Sequence, residues 1–207
     1  MELGNKIIFF AANSRVYVSR LFAVVILLLA LFTRYSFNRE GLMDVFLEMS
    51  GLFLLTVCSM GRLWALMYIS GNKRYEMITD GPYSIVRNPL YLFSLTGAIG
   101  IGLASENLLI LALMIAFYVM YYPLTILAEE KKLEAAFGQA YLEYKSKTPR
   151  LLPKLSLYKG PDLYTVRAKT FVRNFIDGMW FIWIFILLNT IEAAQNMGYL
   201  PVYWRIP

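Results

Sequence analysis

Two segments of the chain carry the residues whose types and spacing could do chemistry, and the first is 81–91, with the sequence GPYSIVRNPLY. Its Gly-Pro pair predicts a tight turn, and Asn88 followed by Pro89 predicts the start of a helix. The amides and the partial positive charge at a helix start attract anionic groups, and Arg87 adds a cation beside them. The segment therefore predicts an anion-binding turn at the start of an apolar helix.

The second segment is 127–138, with the sequence LAEEKKLEAAFG. At helical spacing Glu130 falls on the same stripe as Ile126 and Leu133, which predicts that it faces the protein interior. Two adjacent carboxylates, Glu129 and Glu130, at the end of an apolar helix would suit a cationic ligand. The alternative that stays open is a solvated helix end with ordinary Glu–Lys pairs.

These segments must be positioned by membrane helices. Of the 207 residues, 58% are hydrophobic and 16% are charged, which is too apolar for a soluble domain of this length. About 20 helical residues cross the hydrocarbon layer, and five apolar runs qualify or nearly qualify: 16–32, 45–69, 89–104, 108–127 and 171–191. The three residues 105–107 predict the tip of a helical hairpin. The expected fold is an all-α, polytopic membrane bundle of about five transmembrane helices.

The distribution of lysine and arginine predicts the orientation of the bundle. One side carries two such residues before the first span, three in 70–88 and ten in 129–173; the other side carries Arg34, Arg39 and Arg205. By the positive-inside rule the N-terminus is expected in the cytoplasm, with the segments 81–91 and 127–138 both on the cytoplasmic face. We expect an inner-membrane protein of a bacterium. No small-residue cleavage site follows the first apolar run, so no cleavable signal peptide is expected.

Scarce residue types exclude several classes of function. The chain has no histidine, which excludes Ser-His or Cys-His catalysis, haem-His ligation and ordinary zinc sites. The single cysteine, Cys58, lies inside the second span and is expected to be a packing residue. The basic residues flank membrane spans, so neither a nucleic-acid interface nor a metal site is expected.

Two further features of the spans are open to two interpretations each. Gly97, Gly100 and Gly102 crowd the third span, and they could allow close helix packing or let a ligand lie against bare backbone. Arg62 lies within the second span and could bind an anion there, or its side chain could extend to the membrane interface.

In order along the chain, the motifs Gly-Pro-Tyr-x-x-x-Arg-x-Pro-x-Tyr, Gly-x-Gly, Glu-Glu-x-x-Leu-x-x-x-Phe-Gly-x-x-Tyr-x-x-Tyr and Pro-Arg-x-x-Pro closely resemble one family. It is the integral-membrane methyltransferase family of isoprenylcysteine carboxyl methyltransferases and phospholipid N-methyltransferases. The similarity extends over 62–153 and includes Arg62-x-Trp64-Ala65 and Gly71. We therefore expect one membrane domain, 1–207, in which 154–207 adds a basic interfacial connector and an extra membrane helix.

The resemblance implies methyl transfer from S-adenosylmethionine, bound in a cytoplasmic cleft, to a lipid or another lipophilic acceptor. The cofactor-binding residues that it implies are Tyr83, Arg87, Asn88, Tyr91, Gly100, Gly102, Glu129, Glu130, Tyr141 and Tyr144. Among these, Arg87 and Glu130 are the expected catalytic residues. The residues expected to meet the acceptor are Arg62, Arg150 and Asp177. Many family members have histidine where this chain has Asn88, and an amide cannot transfer a proton as histidine does.

The sequence leaves three classes of function open: a methyltransferase, a reductase and a non-catalytic scaffold. A membrane steroid reductase with a nicotinamide cofactor has a similar turn, but here Tyr91 is followed by Leu92-Phe93 instead of Gly-Glu. A non-catalytic membrane scaffold is the other alternative. Within the methyltransferase interpretation, the missing histidine favours an anionic acceptor, since a protonated amine must first lose a proton. The aromatic fifth span is expected either to anchor the protein or to border the entrance for the acceptor.

Overall fold

The computed structural model describes residues 2–35, 41–70 and 76–206. Its helices are α1 (Glu2–Phe32), α2 (Leu42–Ile69), α3 (Pro82–Ile85), α4 (Pro89–Ala104), α5 (Leu108–Phe137), α6 (Gln139–Lys147) and α7 (Ala168–Asn196). A 3₁₀ turn spans Leu155–Leu157, and two short strands are β1 (Thr33–Tyr35) and β2 (Trp204–Ile206). Gly71, Lys73, Arg74 and Arg39, which entered the sequence predictions, lie outside the described residues, as do the side chains of Lys6, Arg34 and Arg205.

The long helices form a bundle with α2, α4 and α5 at its centre. The helix α4 packs between α2 and α5, while α1 packs on α5 and α7 packs mainly on α2. The strands β1 and β2 pair in parallel, so α1 and α7 end at the same side of the bundle, which we call the far end. The opposite side, where α2 ends and α4 begins, is called the site end.

Four of the helices, α1, α2, α5 and α7, are long and apolar enough to cross a membrane. The fifth apolar helix, α4, has 16 residues and is enclosed by its neighbours. Many large apolar side chains on the outside of the long helices are exposed, among them Phe10, Leu21, Phe53 and Met120. Exposed apolar surface of this extent fits a lipid environment. The prediction of an all-α, polytopic membrane protein is confirmed.

The hairpin between α4 and α5 turns at the far end, as predicted. Asn107 begins α5 as its N-cap, and its side-chain oxygen accepts hydrogen bonds from the amides of Leu109 and Ile110. The Asn107 amide nitrogen donates to the Thr33 hydroxyl at 3.1 Å, which ties the hairpin to the end of α1. In the same region Gln195 of α7 donates to the carbonyls of Ala30 and Leu31.

At the site end the chain is folded tightly around α3. Gly81 adopts a left-handed φ of 60°, which favours glycine, and its amide donates to the Lys159 carbonyl at 2.6 Å. The Lys159 amide in turn donates to the Ser84 hydroxyl, and the Lys154 amide donates to the Ile85 carbonyl. The first part of the basic connector after residue 153 is therefore held against the turn at 81–85.

Atoms of neighbouring helices fill the space beside the glycines of α4. A Cβ atom added to Gly100 would lie 3.0 Å from Leu55 Cγ, and one added to Gly102 would lie 2.6 Å from Leu111 Cα. A Cβ atom at Gly97 would lie 2.6 Å from the Cys58 sulfur. Of the two interpretations of these glycines, close helix packing is the one that the structure shows.

Candidate functional site

The centre of the site is Glu130, a buried carboxylate at the site end of α5 that is 3% exposed. Arg150 makes a two-pronged contact with it, since its Nε donates to Oε1 at 3.2 Å and its Nη2 donates to Oε2 at 2.7 Å. Asn88 Nδ2 donates to Oε1 at 3.1 Å. The apolar stripe of α5 places Glu130 inward, as the sequence predicted, because Ile126 one turn earlier is also buried. The stripe ends there, since Leu133 is 38% exposed.

Arg87 brings a second cation to the same carboxylate. Its Nε lies 3.5 Å from Glu130 Oε1, close enough for an ion pair but without the alignment of a hydrogen bond. Its Nη1 donates to the Lys145 carbonyl at 3.1 Å, and its backbone amide donates to the Pro149 carbonyl. Two guanidinium groups therefore share one carboxylate, which leaves an excess positive charge at this point.

Asn88 occupies the N-cap position directly before α4 as predicted, but its side chain does not cap the helix. No capping hydrogen bond is made by the side chain, which instead donates to Glu130 and to the Arg150 carbonyl at 3.2 Å. The amides of Tyr91 and Leu92 both donate to the Asn88 carbonyl. A buried carboxylate is a stronger acceptor than solvent, which explains why the side chain turns to Glu130. The positive charge near the start of α4 therefore lies on the guanidinium groups of Arg87 and Arg150.

The helix α6 folds back over this cluster after the turn at Gly138, where φ is 53°. The Tyr144 hydroxyl donates to the Tyr83 carbonyl at 2.7 Å, which joins α6 to α3. Tyr141 is 1% exposed, and its hydroxyl has no hydrogen-bond partner among the described residues. Burial, with a smaller contribution from the charge of Glu130, raises the pKa of Tyr141 to about 12.

The pKa values of the two other tyrosines here are also raised. For Tyr144 the main cause is burial, followed by the nearby Tyr141. For Tyr83 the main cause is again burial, with Tyr144 and Glu129 adding to it and Arg62 opposing it. All three hydroxyl groups therefore stay protonated at neutral pH and can only act as hydrogen-bonding groups.

The second carboxylate, Glu129, faces a different set of residues. Its Oε1 lies 3.7 Å from Nη1 of Arg15 in α1, and the Arg15 Nη1 donates to the Tyr91 hydroxyl at 2.7 Å. The side chain of Glu129 is 38% exposed, whereas that of Glu130 is 5% exposed. The two predicted carboxylates thus differ in their surroundings: Glu130 is buried and saturated by protein donors, and Glu129 is partly exposed beside Arg15 and Tyr91.

Arg62 points into the junction of α2, α4 and α7. Its Nη1 donates to the Ser94 hydroxyl at 2.7 Å, and its guanidinium lies 5.5 Å from the centre of the Phe181 ring. These contacts hold the guanidinium group against neighbouring helices within the bundle.

Four of the residues implied by the resemblance lie away from both Glu130 and Glu129, and the first of them is Arg62 at the junction just described. Gly100 and Gly102 lie toward the far end of α4, packed against α2 and α5. Asp177 is on an exposed face of α7, next to Gly178, which is buried. The remaining residues gather at the site end, either around Glu130 or around Glu129.

A cavity of about 400 Å³ adjoins the Glu130 cluster. Its lining consists of Leu127, Glu130, Lys131, Glu134, Ala135, Lys145 and Arg150. The volume lies within the roughly 300–1,000 Å³ that is usual for small-molecule sites. The lining combines apolar groups with cations and carboxylates, which suits a ligand that carries both signs of charge.

None of the sequence motifs indicated Arg15 as a site residue. It belongs to α1, outside the segment that carries the resemblance, and it reaches Tyr91 and Glu129 only because α1 packs on α5. Its position near the start of a membrane span was the one available signal, since an arginine there usually has a partner.

Comparisons with known proteins indicate the family of the chain. A family model described as phospholipid methyltransferase matches residues 41–140. Nickel-cobalt-cadmium resistance protein NccN of Alcaligenes xylosoxydans xylosoxydans is 32% identical over 198 residues, which is 96% of this chain and 92% of that protein. Cobalt-zinc-cadmium resistance protein CzcN of Cupriavidus metallidurans is 32% identical over 191 residues, covering 92% of this chain and 88% of that protein.

A more distant relative is, like the family model, described as a methyltransferase. Protein-S-isoprenylcysteine O-methyltransferase of Schizosaccharomyces pombe is 30% identical over 82 residues, which is 40% of this chain and 35% of that protein. No solved structure matches the chain significantly. The family model, this methyltransferase relative and the ordered motifs at 81–91 and 127–150 identify the chain as a member of the integral-membrane phospholipid methyltransferase family.

Proposed function

We propose that this protein transfers a methyl group from S-adenosylmethionine to a lipophilic acceptor at the cytoplasmic boundary of the membrane. On this proposal the N-terminus and the site end face the cytoplasm, as the distribution of basic residues favours. The acceptor is a lipid headgroup or another hydrophobic molecule that reaches the site from the membrane.

The observation that carries the proposal is the cluster of Arg87, Arg150 and Glu130 beside the cavity of about 400 Å³. The excess positive charge and the 44% exposed side chain of Arg150 suit the carboxylate of S-adenosylmethionine. The unpartnered Tyr141 hydroxyl, buried beside the cluster, is a donor or acceptor that a bound ligand would satisfy. The residues present therefore fit the cofactor.

Each charged residue has a separate role on this proposal. Arg150, supported by Arg87, binds the cofactor carboxylate, and Glu130 holds the two guanidinium groups in place. Glu129, which is more exposed, is available to a cationic group of the cofactor. Glu130 is thus a positioning residue, which is a more indirect role than the sequence suggested.

S-adenosylmethionine supplies an activated methyl group when it is bound, so the chain mainly has to orient the reactants and exclude water. The fold-back of α6 over α3 and α5 covers the cluster from the aqueous side. Asn88, in place of the histidine of many relatives, donates to Glu130 and offers no proton-transfer group.

Calorimetry on the detergent-purified protein tests the proposal with S-adenosylmethionine and NADPH as separate titrants. We expect binding of the first only, and we expect Arg150→Gln to weaken it about ten-fold or more because a charged hydrogen-bond pair is lost. Arg167→Gln, at an exposed arginine of the connector, is the matched control and should bind as the wild type does. Binding of NADPH alone would indicate a reductase, and binding of neither would indicate a scaffold.

A further inference from the structure

Arg62 is a cation within a membrane-spanning helix whose contacts leave its charge uncompensated. Its Nη1 donates to the Ser94 hydroxyl and, at 3.5 Å, to the Leu90 carbonyl. Its guanidinium also lies over the Phe181 ring. None of the carboxylates in the described part of the chain forms an ion pair with it. A charge within a membrane is costly, and such residues usually have a partner or belong to a functional site.

A second unsatisfied group lies one helical turn away on the same face of α2. Ser59 is 8% exposed, and its buried hydroxyl has no hydrogen-bond partner among the described residues. The Arg62 Nε is also buried without a partner. Residues three apart on a helix are neighbours in space, so the two unsatisfied donors can serve one ligand.

We propose that Arg62 and Ser59 bind the headgroup of the methyl acceptor, and that this headgroup is an anion such as a carboxylate or a phosphate. An anion would compensate the charge of Arg62 and accept from both unsatisfied donors. A protonated amine would be repelled by Arg62, and its proton would need a base that a chain without histidine lacks in its usual form. This inference rests on the proposed function, because it names the acceptor of that reaction.

An anionic acceptor also simplifies the reaction itself. A lone pair on its oxygen forms the new bond to the methyl carbon while the carbon–sulfur bond breaks and its electron pair stays on sulfur. No proton has to leave the acceptor. Arg62 contacts the Leu90 carbonyl in the first turn of α4, and the neighbouring Tyr91 hydroxyl accepts from Arg15, which lies beside Glu129. The proposed headgroup site therefore lies on the cofactor side of the bundle.

The test measures binding of four amphiphiles with the same C18 chain to the whole protein in phosphatidylcholine nanodiscs, without S-adenosylmethionine. The four are oleate, oleyl phosphate, oleylamine and oleyl alcohol, and tryptophan fluorescence reports binding. We expect at least one anion to bind about ten-fold more tightly than the amine and the alcohol. The comparison of oleate with oleyl phosphate distinguishes a carboxylate from a phosphate headgroup.

Variants assign that preference to the site. Arg62→Gln should abolish the preference for the anion, and Arg62→Lys should retain part of it. Arg20→Gln, at an exposed arginine within the span of α1, is the matched control and should leave it unchanged. Ser59→Ala should weaken anion binding several-fold without loss of thermal stability, because the hydroxyl makes no hydrogen bond in the protein.

Two results would overturn the inference. One is a wild-type protein that binds the four amphiphiles equally or prefers the amine. The other is an anion preference that persists in folded Arg62→Gln or, if that variant does not fold, an affinity of Ser59→Ala for the anion that equals that of the wild type. Since no cofactor is present, failure of the proposed methyl transfer would leave these binding results unaffected, and the two failures are distinguishable.

Discussion

At the scale of single residues, Glu130 and Glu134 offer a matched pair of carboxylates on one helix. Glu130 is nearly buried between Arg150 and Asn88, whereas Glu134 makes a half-exposed ion pair with Lys145 at 3.2 Å. We predict that Glu130→Gln lowers the free energy of unfolding by about 3 kcal/mol, because two cations lose their partner. Glu134→Gln should cost less than about 1 kcal/mol, as is usual for exposed pairs.

The same pair tests cofactor binding. Glu130→Gln should weaken S-adenosylmethionine binding about ten-fold or more in calorimetry, because Arg150 is no longer held, and Glu134→Gln should have little effect. Equal and small effects of both substitutions on binding would contradict the positioning role of Glu130.

Tyr141 and Tyr144 form a second matched pair, and removal of the two hydroxyl groups should affect stability differently. The Tyr141 hydroxyl has no partner, so Tyr141→Phe should leave the ligand-free protein as stable as the wild type or slightly more stable. Tyr144→Phe removes the hydrogen bond to the Tyr83 carbonyl and should cost about 1 kcal/mol. Thermal unfolding measures both changes.

Ligand binding then reports whether the Tyr141 hydroxyl belongs to the site. Tyr141→Phe should weaken S-adenosylmethionine binding several-fold, although it does not destabilise the protein. Because the pKa of Tyr141 is raised to about 12, its hydroxyl stays protonated up to about pH 10, and its contribution should be constant between pH 7 and pH 9. Unchanged affinity of the Phe variant would exclude the hydroxyl from the ligand site.

At the scale of helices, substitutions of Gly102 and Gly178 distinguish a role in helix packing from a role in ligand binding. A Cβ atom at Gly102 would lie 2.6 Å from Leu111 Cα, whereas one at Gly178 would meet only the Ser59 carbonyl at 3.6 Å. We predict that Gly102→Ala lowers the free energy of unfolding by about 1–3 kcal/mol, since α4 and α5 must move apart. Gly178→Ala should be tolerated.

Cofactor affinity per folded molecule should be the same in both glycine variants and in the wild type, because neither glycine lies at the charged cluster. A selective loss of S-adenosylmethionine binding in Gly102→Ala, at unchanged stability, would instead place this glycine against the cofactor.

The last helix, α7, contributes both exposed aromatic residues and one buried contact. Trp180 and Trp183 are about 60% exposed, which fits an anchoring role in lipid. Phe181, on another face, packs on the core and lies over Arg62. The helix therefore presents aromatic residues on its outer face and borders the Arg62 junction with another face. Its place at the entrance for the acceptor stays a prediction.

At the scale of the whole molecule, the orientation in the membrane can be tested with single cysteines in a Cys58→Ser background. Ser156→Cys introduces an exposed thiol in the connector at the site end, and Met197→Cys introduces one at the far end. In intact bacterial cells, a maleimide that cannot cross the inner membrane should label the far-end cysteine only. Labelling of the connector cysteine alone would show that the protein has the opposite orientation.

The sequence by itself determined the class of fold, the number of apolar helices and the family. These features depend on local properties: long apolar runs can satisfy their backbone groups in lipid only as helices, and the motifs are contiguous strings. It also placed Glu130 inward, because the helical period carries the apolar stripe of α5 through that residue.

The tertiary structure alone decided how the charged residues pair. Arg150 is twenty residues from Glu130, and Arg15 is more than one hundred residues from Glu129, so their contacts depend on how α6 folds back and how α1 packs. The Asn88 side chain left its expected cap for Glu130 for the same reason. Side-chain hydrogen bonds follow whichever acceptor lies nearest in space, and that distance is set by the packing of helices remote in sequence.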